Sequence, residues 1–320
     1  MIEPETRKLP VTNRVVLRTF TLLAFVLFLT GCSSSPISSL PRTPGKEIVV
    51  TTSHLEDIVA QVAGPEWQVS CIVPRGAAPH VFEPSAKSLR AVTKARLLFC
   101  VGAGLEGWVE QLVKNSERPN LKVVELARGL SLEKRVSPDG GESWIDPHVW
   151  MSPKLVSDSV ETIAQALVEI DPSSSSVYKK NAEAYRKELD ELDAECRESF
   201  AKVPVERRRL VTSHDALGYL ADRYDLEVVA TVIPHVSTEA AETSAQEFQK
   251  LAELIRTTGV KAIFADQSEN HKLVEQLARD SGVEVVPDLL LDSLGPRGSA
   301  TETYIGTYRH NVRAILETLK

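Results

Sequence analysis

Between Val177 and Lys202 the chain has neither glycine nor proline, and Tyr178, Tyr185, Leu189, Leu192 and Cys196 recur at steps of seven, four, three and four. Those are the steps of one helical face. The spacing predicts an unbroken helix of roughly 40 Å at about 1.5 Å per residue. Such a helix is too long for an ordinary crossover between neighbouring strands, so it reads as a rigid strut joining two lobes. A long surface helix on a single α/β domain remains the alternative, because length alone does not define a domain boundary.

On both sides of this helix, from Glu47 onward, short apolar runs alternate with amphipathic stretches, the pattern of βα units. Strands are predicted at residues 48–51, 68–73, 97–101 and 122–125 before the helix, and at 209–212, 227–230, 262–265 and 284–287 after it. Runs such as Leu97-Leu98-Phe99-Cys100-Val101 show no polar alternation. Both faces of such a strand are therefore expected to be covered by helices, as in a parallel sheet. The fold class expected is α/β, with two βα lobes joined by the long helix and a site in the cleft between them. The boundaries expected are 46–171 for the amino-terminal lobe, 172–203 for the linking helix and 204–320 for the carboxyl-terminal lobe.

What precedes residue 46 reads as targeting. Arg7, Lys8, Arg14 and Arg18 lie before an apolar run from Thr19 to Thr30, the layout of an export signal. That run is shorter than the ~20 residues needed to span a bilayer. It ends in Leu29-Thr30-Gly31-Cys32, which resembles the lipobox of bacterial lipoproteins. The resemblance implies a signal peptide over 1–31, acylation of Cys32 and a Ser- and Pro-rich tether over 32–45. Loss of residues 1–31 removes those four basic residues with Glu3 and Glu5, moving the net charge from -7 to -9. Acidity of this kind, without a basic tract, argues against nucleic-acid binding. Four cysteines with no CxxC or CxxxC pair argue against a disulfide scaffold, a zinc ribbon and an iron–sulfur site. A bridge between Cys71 and Cys100 stays open, since their distance in space cannot be read from sequence.

Seven histidines remain, and none forms an HExxH or HxxxH pair. Position is more informative, because ligands of open parallel sheets gather beyond the carboxyl ends of the strands. His54, His80 and His214 follow predicted strands, and His148 sits in the loop Asp146-Pro147-His148. Imidazoles at such loops in both lobes suit a cation held between them. His271 and His310 fall in amphipathic stretches and are expected to be solvated.

Four segments, in order, resemble the metal-binding receptor lipoproteins of bacterial ABC importers for zinc and manganese. Gly76-Ala77-Ala78-Pro79-His80-Val81-Phe82-Glu83-Pro84 is similar to that family's Gly-x-Asp-Pro-His-x-Tyr-Glu-Pro, with Ala78 in place of Asp. Asp146-Pro147-His148-Val149-Trp150-Met151-Ser152-Pro153 resembles its Asp-Pro-His-x-Trp-x-x-Pro. Ser213-His214-Asp215-Ala216-Leu217-Gly218 and Leu291-Asp292-Ser293-Leu294-Gly295 resemble the third and fourth ligand loops.

The resemblance implies His80, His148, His214 and Asp292 as metal ligands, two from each lobe. Three imidazoles and a carboxylate suit a borderline divalent ion and suit Ca²⁺ or Mg²⁺ poorly. Without the resemblance, Asp292 reads equally well as a turn or cap residue. His54 and Glu242 are expected in the second shell, and His235 near the cleft. The function implied is capture of one Zn²⁺ or Mn²⁺ per chain outside the cytoplasm and delivery to an ABC permease, by a lipid-anchored, monomeric, non-enzymatic protein. His214 leans towards zinc, since manganese members often carry Glu there; the lack of histidine between Gly129 and Asp146 leans the other way. The alternatives are a zinc-dependent hydrolase using the same cleft, with Asp215 or Glu83 as general base, and a surface adhesin with a structural metal.

Overall fold

The computed structural model describes residues 45–132, 134–136, 143–233 and 245–320. Cys32, His235 and Glu242 lie outside them.

The amino-terminal lobe runs β1 (Glu47–Val50), α1 (Ser53–Ala63), β2 (Gln68–Cys71), α2 (Ala86–Lys94), β3 (Leu97–Cys100), α3 (Val109–Asn115) and β4 (Lys122–Glu125). A short antiparallel hairpin follows, β5 (Lys134–Val136) with β6 (Ser143–Ile145). Helices α4 (Pro153–Ile170) and α5 (Ser175–Ala201) then lead to the second lobe. That lobe runs β7 (Arg209–His214), α6 (Gly218–Arg223), β8 (Glu227–Ile233), α7 (Ala245–Thr258), β9 (Ala262–Asp266), α8 (Lys272–Ser281), β10 (Glu284–Leu289) and α9 (Tyr304–Leu319).

Each lobe holds a four-stranded parallel sheet, ordered β2-β1-β3-β4 and β10-β9-β7-β8. All eight strands expected from the apolar runs are present, and those of the second lobe run one to three residues further than their sequence signal. β3 and β9 are buried along their whole length, as runs without polar alternation require. Local chemistry sets the helix ends. Thr52 caps α1 by accepting from the Leu55 amide, Ser85 and Ser88 form a reciprocal capping box on α2, and Ser152 caps α4 ahead of Pro153.

The long helix is α5, and Tyr178, Tyr185, Leu189, Leu192 and Cys196 are all buried along it. It packs against α1 and α4 of the first lobe and α9 of the second. One apolar cluster runs through both lobes, joining Ile48 and Phe99 to Phe264 and Leu289 through the buried face of α5. The outer face of each sheet has its own smaller core. The lobes are therefore packed together along the strut, and the polar cleft lies where their loops meet.

The hairpin had no counterpart among the sequence signals, because strands of three residues carry too few alternations to register. Cys71 and Cys100 lie on β2 and β3 with β1 between them, Val50 pairing with both Cys71 and Phe99. Two strand spacings, about 9.5 Å, exceed what a disulfide can bridge. Both are free thiols, as is Cys196, and burial pushes all three up, Cys196 to about 12.

Asp193 on α5 fastens α6. Arg223 donates Nε to Asp193 Oδ1 (2.7 Å) and Nη2 to Oδ2 (2.5 Å), and the Tyr224 hydroxyl donates to Oδ1 (3.2 Å). Burial works against the Asp193 charge, but Arg223 outweighs it and its pKa is lowered. A lowered folded-state pKa means stabilisation present above the unfolded carboxylate value near 3.9 and lost as pH falls through the folded value. Asp193→Asn should cost about 2 kcal/mol in urea unfolding at pH 7. Its difference from wild type should shrink as the pH drops below about 3.9.

Candidate metal centre

Three of the four sequence-implied ligands stand where parallel strands end. His80 lies in the loop after β2, His214 is the last residue of β7, and Asp292 follows β10. His148 arrives from the hairpin side, in the turn between β6 and α4. One donor atom from each lies within 4.8 Å of every other. His80 Nε2 and His148 Nε2 are 3.1 Å apart. From the Asp292 carboxylate, His80 Nε2 is 3.8 Å away, His148 Nε2 3.7 Å and His214 Nε2 3.5 Å. A tetrahedral ion with bonds of about 2.1 Å separates its ligand atoms by about 3.4 Å. The four separations of 3.1–3.8 Å are close to that spacing, within a group whose donors all lie within 4.8 Å of one another.

His148, His214 and Asp292 are buried, and His80 is partly so. His214 Nε2 and Asp292 Oδ1 have no hydrogen-bond partner among the described residues. Buried polar atoms are seldom left so, and orphans that converge on one point fit a cation bound between them. Burial and the neighbouring imidazoles lower His80 to about 4, despite Asp292. Burial opposes charge on His214 too, but Asp292 and Glu269 outweigh it and raise its pKa. For Asp292, His214 with His148 and His80 overcomes burial and holds the carboxyl ionised.

A second layer of carboxylates orients two of the rings. Asp146 Oδ1 accepts from the His148 amide (2.9 Å) and lies 2.8 Å from Nδ1. Glu269 Oε1 lies 2.7 Å from His214 Nδ1. Asp146 takes up the His148 Nδ1 and Glu269 stands against the His214 Nδ1 as a charge partner, and both rings turn Nε2 towards Asp292. Asp146 is itself fully buried and held both by the hairpin and by the other lobe. Arg135 Nε is 3.5 Å from its Oδ2 while Nη2 donates to Asp222 (2.7 Å), and the Tyr219 hydroxyl donates to the Asp146 carbonyl (2.9 Å). This crossing explains the glycine of the third segment: a Cβ on Gly218 would fall 2.5 Å from Arg135 Nη2 and 2.6 Å from Asp146 Oδ2.

The Asp292 backbone is positioned by Asp266, whose Oδ2 accepts from the amides of Leu291 (2.5 Å) and Asp292 (3.2 Å). Asn311 clamps Leu290 through both its amide and its carbonyl. A cavity of about 210 Å³ opens onto His80, His148 and His214, walled in part by Leu105, Trp144 and Asp215.

His54 is not one of the four donors. It is buried at the start of α1 and stacks on Trp150 with ring centroids 5.0 Å apart, and Trp150 in turn meets the His148 ring edge-on. Burial lowers its pKa to about 3, so the ring is neutral. His271 and His310 stand apart from the cluster, and their Nε2 atoms donate to the carbonyls of Asp266 (2.7 Å) and Asp288 (2.9 Å). Glu83 is exposed and takes no part in the cavity wall. Glu269 and Arg135 sit in no segment with a local signal, and Asp266, directly after the strand predicted at 262–265, carries no motif of its own.

A family model described as "Zinc-uptake complex component A periplasmic" matches residues 48–318. The manganese-binding lipoprotein MntA of Halalkalibacterium halodurans is 30% identical over 300 residues, covering 94% of this chain and 97% of the relative. The zinc-binding protein TroA of Treponema pallidum is 33% identical over 297 residues, covering 91% and 94%. The solved structure of the Treponema pallidum periplasmic zinc-binding protein TroA superposes with a TM-score of 0.77 at 30% identity, covering 86% of this chain and 99% of that one.

Mutation of a carboxylate behind a ligating imidazole typically lowers metal affinity about 10- to 100-fold. Asp146→Asn and Glu269→Gln should each do so in zinc competition titrations against a chromophoric chelator, while far-UV circular dichroism stays that of wild type.

Proposed function

The chain belongs to the zinc-uptake component A family, and from that premise we propose that it captures one divalent transition-metal ion outside the cytoplasm and passes it to an ABC permease. His80, His148, His214 and Asp292 are its ligands, and the ion is cargo. The observation that carries this reading is the largely buried cluster of four donors, drawn from both lobes, whose ligand atoms lie within 4.8 Å of one another. His54 supports the site indirectly, by stacking on the Trp150 ring that packs against His148. Glu242 is kept as a second-shell candidate on the sequence resemblance alone.

The donor set favours a receptor over a hydrolase. Catalytic zinc takes three protein ligands and keeps a position open for water, whereas four protein donors close the tetrahedron. Zinc is the preferred cargo, since three imidazoles with one carboxylate match its ligand chemistry, and relatives are named for zinc and for manganese alike. Release then requires parting of loops that belong to different lobes, which contact with a permease would provide. Relatives bear the name lipoprotein, and Cys32 in its Leu-Thr-Gly-Cys setting is the anchoring residue of this proposal. Among the described residues no helix is long and apolar enough to cross a membrane. The protein acts as a monomer at the membrane surface.

Isothermal titration of the soluble chain with Zn²⁺ should give one site. His148→Ala should abolish high-affinity binding, whereas His310→Ala leaves it unchanged. Imidazoles must lose their protons to coordinate, so acid competes with metal. With the His214 pKa raised, that competition begins above the ordinary imidazole value of about 6.5. The affinity should therefore already fall between pH 8 and 6.5 and collapse below it; an affinity flat from pH 8 to 5 would contradict the three-imidazole site.

Cys32→Ala should shift the protein from the membrane fraction to the soluble or unprocessed pool with its zinc affinity intact. A processed Cys32→Ala protein retained on membranes would overturn the anchor.

A further inference from the structure

Arg75 lies five residues before His80 in the loop after β2, and its guanidinium crosses to the other lobe. Nη1 donates to the carbonyls of Gly295 (2.7 Å) and Glu302 (2.8 Å), and Nη2 donates to Glu56 Oε2 on α1 (3.2 Å). Gly295 stands three residues after Asp292. One planar side chain thus joins the loop of one proposed ligand to the loop of another, with α1 as the fixed point. The next residue adds to the seam, since the Gly76 amide donates to Ser293 Oγ (2.7 Å), directly beside Asp292. The Arg75 side chain is 17% exposed and that of Glu56 10%, so the guanidinium is largely shielded from bulk water, with its bond to the Glu302 carbonyl at the exposed end. Hydrogen bonds from a charged donor are strong there, and a guanidinium fork fixes direction as well as distance. The neighbouring pair from Arg297 to Glu56 (2.7 Å) differs, because Arg297 is 70% exposed and reaches no backbone carbonyl among the described residues.

We propose that Arg75 is a positioning residue of the metal site. It registers the Asp292 loop against the His80 loop, so that a carboxylate from one lobe and an imidazole from the other stand at ligand spacing without help from the ion. Binding then meets a prearranged site, which lowers the ordering cost of capture and slows escape. Arg75 touches no metal donor in this role and acts through the two loops it joins. Glu56 keeps Arg297 as a partner if Arg75 is lost, so the substitution leaves no buried carboxylate without a counter-charge.

The inference rests on the receptor reading above, and one experiment separates the two. Full-length wild type, Arg75→Met and Arg75→Lys are loaded with zinc, and release to excess EDTA is followed by stopped flow, with melting temperatures taken with and without zinc. Arg75→Met should release zinc about 10-fold faster or more, the scale of a lost supporting contact. The zinc-induced rise in Tm should shrink, because that rise tracks affinity. Arg75→Lys keeps the charge opposite Glu56 without the fork and should fall between the two. A merely structural role would lower the Tm of both forms equally and leave the release rate at the wild-type value, which overturns the inference. If Arg75→Met does not fold, the release rate of Arg75→Lys decides on the same terms. A wild type that takes up neither zinc nor manganese would overturn the receptor reading and this inference with it. A wild type that binds, with both variants matching its release rate, overturns this inference alone.

Discussion

Everything in the cleft answers to one ionised carboxylate placed out of water. Burying Asp292 would by itself drive it towards the neutral acid, and the three imidazoles around it reverse that tendency. The reversal needs the rings to stay within about 4 Å of the carboxylate, where charge interactions remain strong in a poorly solvated site. The loops are accordingly pinned. Asp266 holds the amides of Leu291 and Asp292, Asn311 holds both polar groups of Leu290, and the Trp150 indole donates to the Leu291 carbonyl (2.6 Å). A divalent cation placed among the four donors would satisfy both the carboxylate and the orphaned His214 nitrogen.

Parallel sheets make this convergence possible. Every crossover returns the chain to the same end of the sheet, so the loops after β2, β7 and β10 emerge from the carboxyl ends of their strands. The shared apolar core along α5 brings the two sets of loops together. His148 and His214 then receive matching treatment from opposite lobes, each with a carboxylate on Nδ1. His80 differs, because Ala78 stands where Asp146 stands in the second Pro-His segment, and its own segment supplies no such carboxylate.

Two arginines add to the lobe-to-lobe contacts beside the cleft. Arg135 links the hairpin and Asp146 to α6, and Arg75 links the His80 loop to the Asp292 loop. Both side chains are largely enclosed, and both reach a group adjacent to a proposed ligand rather than the ligand itself. A guanidinium suits such a place: it spans two or three acceptors while keeping its charge in a partly desolvated seam.

From the sequence alone came the elements whose signal is local. Eight apolar runs marked eight strands, the glycine- and proline-free stretch marked α5, and its five spaced apolar residues are its buried face. His80, His148, His214 and Asp292 could be singled out because each sits in a short segment with a recognisable pattern. The tertiary structure alone decided what supports them. Glu269 lies 55 residues from His214, and Arg75 lies 220 from Gly295. The separation of Cys71 from Cys100 depended on which strand lies between them. Periodicity and capping act between residues a few positions apart and leave a trace in the sequence there. A hydrogen bond across a cleft needs only the right atom at the right place, and which distant segment supplies it is settled when the sheets, the strut and their shared core have packed.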